Sequence, residues 1–240
     1  MCGRYYRRSD KQRIADAFRL GKLRDDFVLP PDFNVAPTTF QPVIRAARET
    51  GQREIVMMRW GMIPNFATSL KEYRGISTIN AKAETLATSG TWRVPFQRRR
   101  CIVPADGFYE WKKLDKGRKQ PYAFGVADGG PFAFAGLWDA WKEPKASPQT
   151  LDTWLQSFTI ITTEPNELTA TVHNRMPVIL KPRDYDRWLS CADTERLPAD
   201  LLRPYDADRM TRHPVDPRVG NVKNNEFNLC EAWVCPPNSA

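Results

Sequence analysis

The stretch YAFGVADGGPFAFAGL, residues 122–137, gives the clearest fold signal in the chain. Apolar and aromatic residues fill both halves, and Asp128, Gly129 and Gly130 interrupt them. Such runs are typical of buried strands, and an Asp-Gly-Gly interruption is typical of a tight turn. We therefore predict a β-hairpin whose two strands are residues 122–127 and 131–137.

Strand-like segments continue on both sides of this stretch. The other predicted strands are residues 42–47, 54–60, 101–104, 108–112 and 158–162. Because strands dominate without a regular strand–helix–strand alternation, we predict an α+β protein. Its core is a curved, mainly antiparallel, barrel-like β-sheet flanked by a few helices. Residues 142–149 give the clearest loop signal, but they are too short to link two domains and have predicted strands on both sides. We therefore predict that residues 1–240 form a single domain.

Helix signals are fewer. Residues 9–20 have a capping Ser9 or Asp10 and a stop at Gly21, and residues 184–191 form a second candidate. Residues 78–88 are predicted to begin extended and to end as a helix. Residues 25–37 are predicted to form a proline-punctuated loop.

Composition limits the functional class. The chain has 240 residues, a net charge of +8, and no apolar run near the ~20 residues that a membrane span requires. Its polar start and five scattered cysteines favour a cytoplasmic protein with reduced thiols, associated with the nucleoid through DNA. The densest basic patch, Arg93 with residues 98–100, either binds an anionic partner such as nucleic acid or is simply solvated.

Cys2 stands directly behind Met1. Once Met1 is removed, Cys2 carries an α-amine and a thiol on adjacent carbons, and this aminothiol can trap an aldehyde as a Schiff base and then as a thiazolidine ring. The α-amine has a pKa near ~7.8, so a useful fraction is unprotonated at neutral pH. The alternative is an ordinary frayed terminus, which is the commoner case.

Other polar residues stand in segments that packing alone does not explain. Asn34 either fixes a turn or orients a ligand. Asn80, Lys82 and Glu84 share one face of an extended segment, as a polar pocket wall or as a solvated face. Lys223 is either a phosphate contact or solvated.

Two titratable residues are candidates for proton transfer. Glu110 lies between aromatic residues in a strand-like run, and alternation places it on the same face as Phe108. An apolar site would raise its pKa and suit a general acid or base, whereas a sheet edge would leave it solvated. His173 is one of two histidines and precedes a buried-looking strand, as a structural residue or as a proton carrier near neutral pH.

In this order, the motifs resemble the SRAP (SOS response-associated peptidase) family over nearly the whole chain. They are Met1-Cys2-Gly3-Arg4, Asn34-Val35-Ala36-Pro37, Trp60-Gly61 with Pro64, Asn80-Ala81 with Glu84, Asp106-Gly107-Phe108-Tyr109-Glu110-Trp111, His173 with Arg175-Met176-Pro177, and Val219-Gly220-Asn221-Val222-Lys223-Asn224.

The resemblance implies a sensor of abasic sites in single-stranded DNA. Such an enzyme forms a covalent thiazolidine DNA–protein cross-link, removes its own Met1, and needs no cofactor or metal; a monomer is expected. The resemblance makes Cys2 the nucleophile and gives Asn80 the orientation of the N-terminus and the sugar. Glu110 handles protons at the amine and the Schiff base, and His173 assists opening of the sugar ring.

The resemblance also implies a set of DNA-binding residues, in which Arg4 and Arg175 hold phosphates. The set is Arg4, Asn34, Trp60, Phe66, Lys82, Arg175 and Lys223. Two positions depart from the family pattern. Lys82 replaces the usual arginine and loses its bidentate grip on phosphate, and Phe66 can stack on DNA where Ala67 cannot.

Two other classes of function fit parts of the sequence. A cysteine amidotransferase or hydrolase also begins with a mature cysteine, but further motifs for a glutamine pocket are not found. A non-covalent single-stranded DNA-binding module would need the basic charge but not Cys2.

Overall fold

The computed structural model describes residues 2–73, 77–142 and 154–234. Met1, Cys235 and all but the first residue of the predicted loop at 142–149 lie outside these ranges. The described residues form thirteen strands: β1 Tyr5–Arg7, β2 Asp32–Val35, β3 Phe40–Ala46, β4 Arg53–Trp60, β5 Asn80–Lys82, β6 Arg100–Ala105, β7 Gly107–Lys113, β8 Lys119–Val126, β9 Phe132–Trp141, β10 Leu155–Thr163, β11 Met176–Pro177, β12 Ile179–Leu180 and β13 Met210–Pro214.

The helices of the described residues are short. The α-helices are α1 Lys11–Phe18, α2 Arg93–Arg98, α3 Glu167–Ala170 and α4 Tyr185–Leu189. The 3-10 helices are Leu70–Tyr73, Ala83–Thr85, Asp115–Gly117, Pro182–Asp184, Ala199–Leu201, Ala207–Arg209, Pro217–Gly220 and Phe227–Cys230. None of these helices has the length and apolar character needed to cross a membrane.

Five strands close into a barrel. The pairings run β10–β4–β3–β6–β9 and return from β9 to β10, so each of the five has a neighbour on both sides. Only the β10–β4 contact is parallel. Strand β5 adds to β10 in parallel, β11 pairs with β10, and β12 pairs with β9. The predicted α+β class with a mainly antiparallel, barrel-like sheet is therefore confirmed.

A second sheet packs against the barrel, in the strand order β13-β8-β7-β1-β2. The principal core cluster contains Val43, Val103 and Phe158 from the barrel together with Tyr5 and Phe108 from the second sheet. The sheets therefore share one apolar interior. Cys2 belongs to the same cluster.

The helix predictions agree with the structure in position and in capping. The side chain of Asp10 accepts a hydrogen bond from Arg13 N–H at 2.8 Å and begins α1. The helix ends earlier than expected, because Arg19 adopts a left-handed conformation with φ of 50° two residues before Gly21. Residues 78–88 begin extended in β5 and continue into a 3-10 helix, as predicted.

The predicted hairpin at residues 122–137 is wrong. Both strands form, but β8 pairs with β7 and β13, whereas β9 pairs with β6, β10 and β12. Gly129 has a positive φ of 66°, so the turn itself forms. It carries the chain from one sheet to the other, because each strand takes its partners from more distant segments.

Three other elements differ from expectation. The predicted loop at residues 25–37 contains β2, which pairs with β1. Strand β1 orders the start of the chain, where a frayed terminus is the commoner case. Residues of the predicted basic patch form α2 and the start of β6. The short strands β1 and β2 are stabilised by pairing with each other, and the alternation of residues in the sequence does not indicate such pairing.

Substitution of Gly107 would test how closely β1 and β7 pack. A Cβ at this position would lie 2.2 Å from the ring of Tyr6, which is buried and tilted against Tyr109. We expect Gly107→Ala to lower the free energy of unfolding by about 1–3 kcal/mol, because the ring has little room to move. Urea denaturation measures the change.

Gly125→Ala in β8 is the matched control, since its added Cβ would meet no atom closer than 3.5 Å. The two variants should differ clearly in stability. Equal losses would show that the Tyr6 ring does not constrain residue 107.

Candidate functional site

Cys2 is held in the core by the pairing of β1 with β7. Tyr5 pairs with Phe108, and Tyr109 N–H donates to Arg4 O at 3.0 Å. The Cys2 side chain is fully buried. Burial raises the pKa of its thiol well above the usual value, and the negative charge of Glu110 acts in the same direction. The thiol is therefore neutral, and it lies within electrostatic reach of Glu110.

Glu110 faces the same interior. Strand alternation holds as predicted: Phe108 belongs to the core cluster of Cys2, whereas Tyr109 and Trp111 pack in a separate cluster on the opposite face. Glu110 is only 4% exposed, and burial raises its pKa to about 7, against the opposing effect of the positive amino terminus. Near neutral pH this carboxyl can both give and accept a proton.

Asn80 lies on β5, which is fixed by parallel pairing with β10. Its Nδ2 donates to the carbonyl of Ile79 at 3.1 Å and to that of Ile160 at 3.4 Å. Its Oδ1 is buried and accepts no hydrogen bond from the described residues. Such an orphaned acceptor is costly, so the position suits a donor that is present only during function.

His173 follows helix α3 and is oriented by its own backbone. Its Nδ1 accepts a hydrogen bond from Arg175 N–H at 3.0 Å, so the neutral ring carries its proton on Nε2. Burial lowers the pKa of His173, and the positive amino terminus lowers it further.

Arg175 is bound inside the protein. Its Nη1 and Nη2 donate to the two carboxylate oxygens of Glu84 at 2.6 and 3.0 Å, and Nη2 also donates to Thr162 O at 2.6 Å. The hydrogen bond from Arg175 lowers the pKa of Glu84. This bidentate pair and the bond to Thr162 hold the 173–175 segment against the 3-10 helix Ala83–Thr85 and β10, which favours a positioning role for Arg175 over a phosphate contact.

Arg4 and Asn34 together hold the segment 219–224. Arg4 Nη1 donates to Asn34 Oδ1 at 2.7 Å and to Val219 O at 3.0 Å. Asn34 Nδ2 donates to the carbonyls of Asn221 and Asn224 at 3.0 and 2.8 Å. Of the two interpretations of Asn34, the structure supports the structural one, because its amide is occupied within the protein.

The other predicted DNA-binding residues differ in their exposure to solvent. Trp60 is fully buried, stacks on Phe158, and donates from Nε1 to Ile79 O at 3.0 Å, so it cannot contact a strand outside the core. Phe66 is 59% exposed. Lys82 and Lys223 are also exposed. Three of the predicted contacts are therefore accessible, and Trp60 is corrected to a core residue.

The structure places Glu110 within electrostatic reach of Cys2, fixes Asn80 through the pairing of β5 with β10, and orients His173 through the hydrogen bond from Arg175 N–H. Sequence reasoning missed that Glu84 is the partner of Arg175, since the two residues are 91 positions apart. Within the described ranges, no group of three or more His, Cys, Asp or Glu side chains could hold a metal ion.

Comparison with known proteins places this site in context. The family profile described as SOS response associated peptidase (SRAP) matches residues 1–222. The chain is 38% identical over 233 residues to "Abasic site processing protein YoqW" of Bacillus subtilis, covering 97% of this chain and 100% of the relative. It is equally identical over 233 residues to "Abasic site processing protein YoaM" of the same organism, covering 97% and 98%. The crystal structure of a protein from Bacteroides thetaiotaomicron matches with a TM-score of 0.82 at 26% identity, covering 97% and 100%.

The raised pKa of Glu110 has a consequence for stability. The folded protein holds this proton up to about pH 7, whereas the unfolded chain loses it near pH 4.5. The stability that protonation provides is therefore complete below pH 4.5 and is lost as the pH rises to about 7, by up to about 3 kcal/mol. Glu110→Gln cannot ionise, so it should lack this loss when urea unfolding is followed across this range.

Glu195→Gln, at an exposed carboxyl, is the control and should keep the pH dependence of the parent protein. An unchanged profile in Glu110→Gln would mean that Glu110 is not the group that titrates near neutrality.

The Glu84–Arg175 pair should control His173. Replacing Glu84 with Gln removes the charge from the bidentate pair and loosens the 173–175 segment. We expect the pKa of His173 to rise toward its ordinary value, because the ring becomes better solvated. An NMR titration of the imidazole protons measures this directly.

His213 serves as an internal control. It lies on β13, where its Nε2 is 2.9 Å from Cys230 O, and has no contact with the pair. At any one pH, its imidazole signals should be the same in the variant and in the parent protein. If His173 also titrates as before, Glu84 does not position it.

Proposed function

Because the chain belongs to the SOS response associated peptidase family, we propose that it is a sensor of abasic sites in single-stranded DNA and joins to them covalently through Cys2. The relatives named above are abasic site processing proteins. The observation that carries the proposal is the burial of Cys2 beside Glu110, a carboxyl whose pKa is raised to about 7. An aminothiol beside a carboxyl of this kind suits the capture of an aldehyde.

The reaction proceeds in two bond-forming steps. The α-amine of mature Cys2 adds to the aldehyde carbon of the ring-opened sugar, and loss of water gives a Schiff base. The thiol sulfur then adds to the same carbon, while the thiol proton moves to the nitrogen. The product is a thiazolidine, with one water released and no oxidation or reduction.

Each step needs a proton carrier, and the site supplies one. The thiol is neutral because of its burial, so a base must accept its proton as the carbon–sulfur bond forms. In this proposal Glu110 accepts that proton and delivers one to the departing water, which its pKa near 7 supports. Neutral His173, with its proton on Nε2, assists opening of the sugar ring in the same proposal.

Asn80 provides orientation in this proposal. Its buried Oδ1 is the acceptor that the α-amine would satisfy, which would aim the nitrogen lone pair at the sugar. The same residues would support hydrolysis of the Met1–Cys2 peptide bond, with Cys2 as nucleophile and Met1 released by water. The peptidase activity in this proposal is the removal of Met1 by the protein itself.

DNA attraction is proposed to come from the basic charge and from exposed groups near the site. The net charge is +8, and Phe66, Lys82 and Lys223 are exposed. Phe66 would stack on a base, and the two lysines would contact phosphates. Lys82 supplies a point charge where an arginine would grip phosphate with two nitrogens. We propose a monomer that acts in the cytoplasm on the nucleoid, without a cofactor.

Intact mass before and after addition of abasic single-stranded DNA tests the proposal. We expect the purified protein to lack Met1, because cleavage precedes activity. With DNA, the mass should equal the sum of protein and strand less one water, and the adduct should survive denaturation. Protein that retains Met1 or carries an N-terminal tag should bind DNA without the adduct.

Cys2→Ala is the critical variant, and Cys101→Ala is the matched control at another buried cysteine. Only Cys2→Ala should abolish the adduct. Abasic DNA that never becomes denaturant-resistant with the parent protein would contradict the proposal and support a non-covalent module. Release of ammonia from glutamine would instead support an amidotransferase.

A further inference from the structure

A basic cleft lies where strand β6 begins. It has a volume of about 650 Å³, and its lining includes the end of β3, the starts of β4 and β6, Trp138 of β9, Asp186 and residues 189–192. We call it the arginine cleft; its charged and aromatic lining residues are Arg48, Arg53, Arg98, Arg99, Arg100, Trp138 and Asp186.

The length of strand β6 gives the separation between the arginine cleft and the site around Cys2. The strand begins at Arg100 in the cleft and ends at Ala105, next to Asp106, whose N–H donates to Tyr6 O at 2.9 Å in β1. Five steps of about 3.3 Å along a strand place the cleft roughly 17 Å from the β1 side. The cleft is therefore distinct from the site around Cys2.

Arg100 forms the floor of the cleft as a buried cation. It is 2% exposed, and its guanidinium donates to the carbonyls of Trp188 at 2.7 Å, Phe96 at 2.6 Å and Gln97 at 3.1 Å, and to that of Ser190. All of these acceptors are neutral carbonyls. A buried charge without a counter-charge is costly, so a negative group above it would be favoured.

Trp138 forms an aromatic wall beside this floor. Arg45 lies over its ring at 4.4 Å and Arg99 at 5.9 Å from the centroid. These two arginines also pair with Glu54 and Asp139, at 2.7 and 2.6 Å. Their positions are therefore fixed, and the partly exposed ring presents a rigid surface to the cleft.

Arg48 and Arg98 stand at the rim. Both are exposed, and neither forms an ion pair with the described residues. The lining contains five arginines against one carboxylate, Asp186, which itself pairs with Arg53 at 2.6 Å. Guanidinium groups match the geometry of phosphate oxygens, so phosphate is the anion that this lining recognises best.

We propose that the arginine cleft binds phosphate groups, with Arg48 and Arg98 as the contacting residues and the charge of Arg100 beneath them. A single nucleic-acid strand or a free nucleotide can supply this phosphate. Because the cleft lies roughly 17 Å along β6 from the β1 side, the proposal stands or falls independently of the Cys2 chemistry.

Charge reversal at the rim tests the proposal. In Arg48→Glu/Arg98→Glu, the affinity for a long unmodified single strand should fall by about tenfold at 0.1 M salt. The slope of log affinity against log salt should shrink by about 1.4, as expected for two lost phosphate contacts on a single strand. Fluorescence anisotropy measures the strand, and calorimetry with a nucleoside triphosphate measures the free nucleotide.

Arg13→Glu/Arg209→Glu is the matched control, because it makes the same change in net charge at exposed arginines outside the cleft. A loss confined to the cleft variant supports the proposal; whichever ligand loses affinity identifies the source of the phosphate. Equal losses in both variants, or no loss for either ligand, overturn it. Arg48→Gln/Arg98→Gln repeats the test should the reversed charges disturb folding.

A short abasic strand that spans only the Cys2 site separates this proposal from the cross-linking chemistry. Its adduct yield should be the same in the cleft variant and in the parent protein. Failure to form any adduct with the parent protein would count against the proposed function alone, since phosphate binding at the cleft is measured with unmodified strands.

Discussion

The pairing of β9 with both β6 and β10 closes the barrel, and the remaining architecture depends on it. Residues of β9 pair with β6 along its first half and with β10 along its second half, so the strand bends across the overlap. Gly136 lies in this overlap, where an added Cβ would come within 3.0 Å of Cys101 Sγ and of Thr159 O. A side chain would force the strands apart there, which explains the glycine.

Closure also positions the candidate site. With β10 fixed in the barrel, its last residues remain free to pair with other strands. There β5 pairs with residues 160–162 and carries Asn80, and β11 pairs with residues 162–163 and follows the segment that carries His173 and Arg175. The second sheet supplies the other half, because β1 and β7 bring Cys2 and Glu110 to the same interior. The site therefore forms where two sheets meet, and it needs both.

The arginines show why net charge alone is a poor guide to a binding surface. Arg4, Arg100 and Arg175 each donate to internal acceptors in segments far away in the chain. Their long side chains and several donors suit them to this role as well as to phosphate. Only the structure distinguishes such committed guanidinium groups from the exposed Arg48 and Arg98 at the cleft rim.

The sequence by itself determined the fold class, most strands of the barrel, helix α1 and its cap, and the family, because these depend on local periodicity and on ordered motifs. It also placed Glu110 on the face of Phe108, since alternation is a property of one strand. Only the tertiary structure decided that β8 and β9 part at Gly129, that Trp60 is buried, and that Glu84 holds Arg175. These features depend on contacts between residues far apart in the chain. The periodicity of the sequence reflects only local structure, so it does not show which distant residues meet.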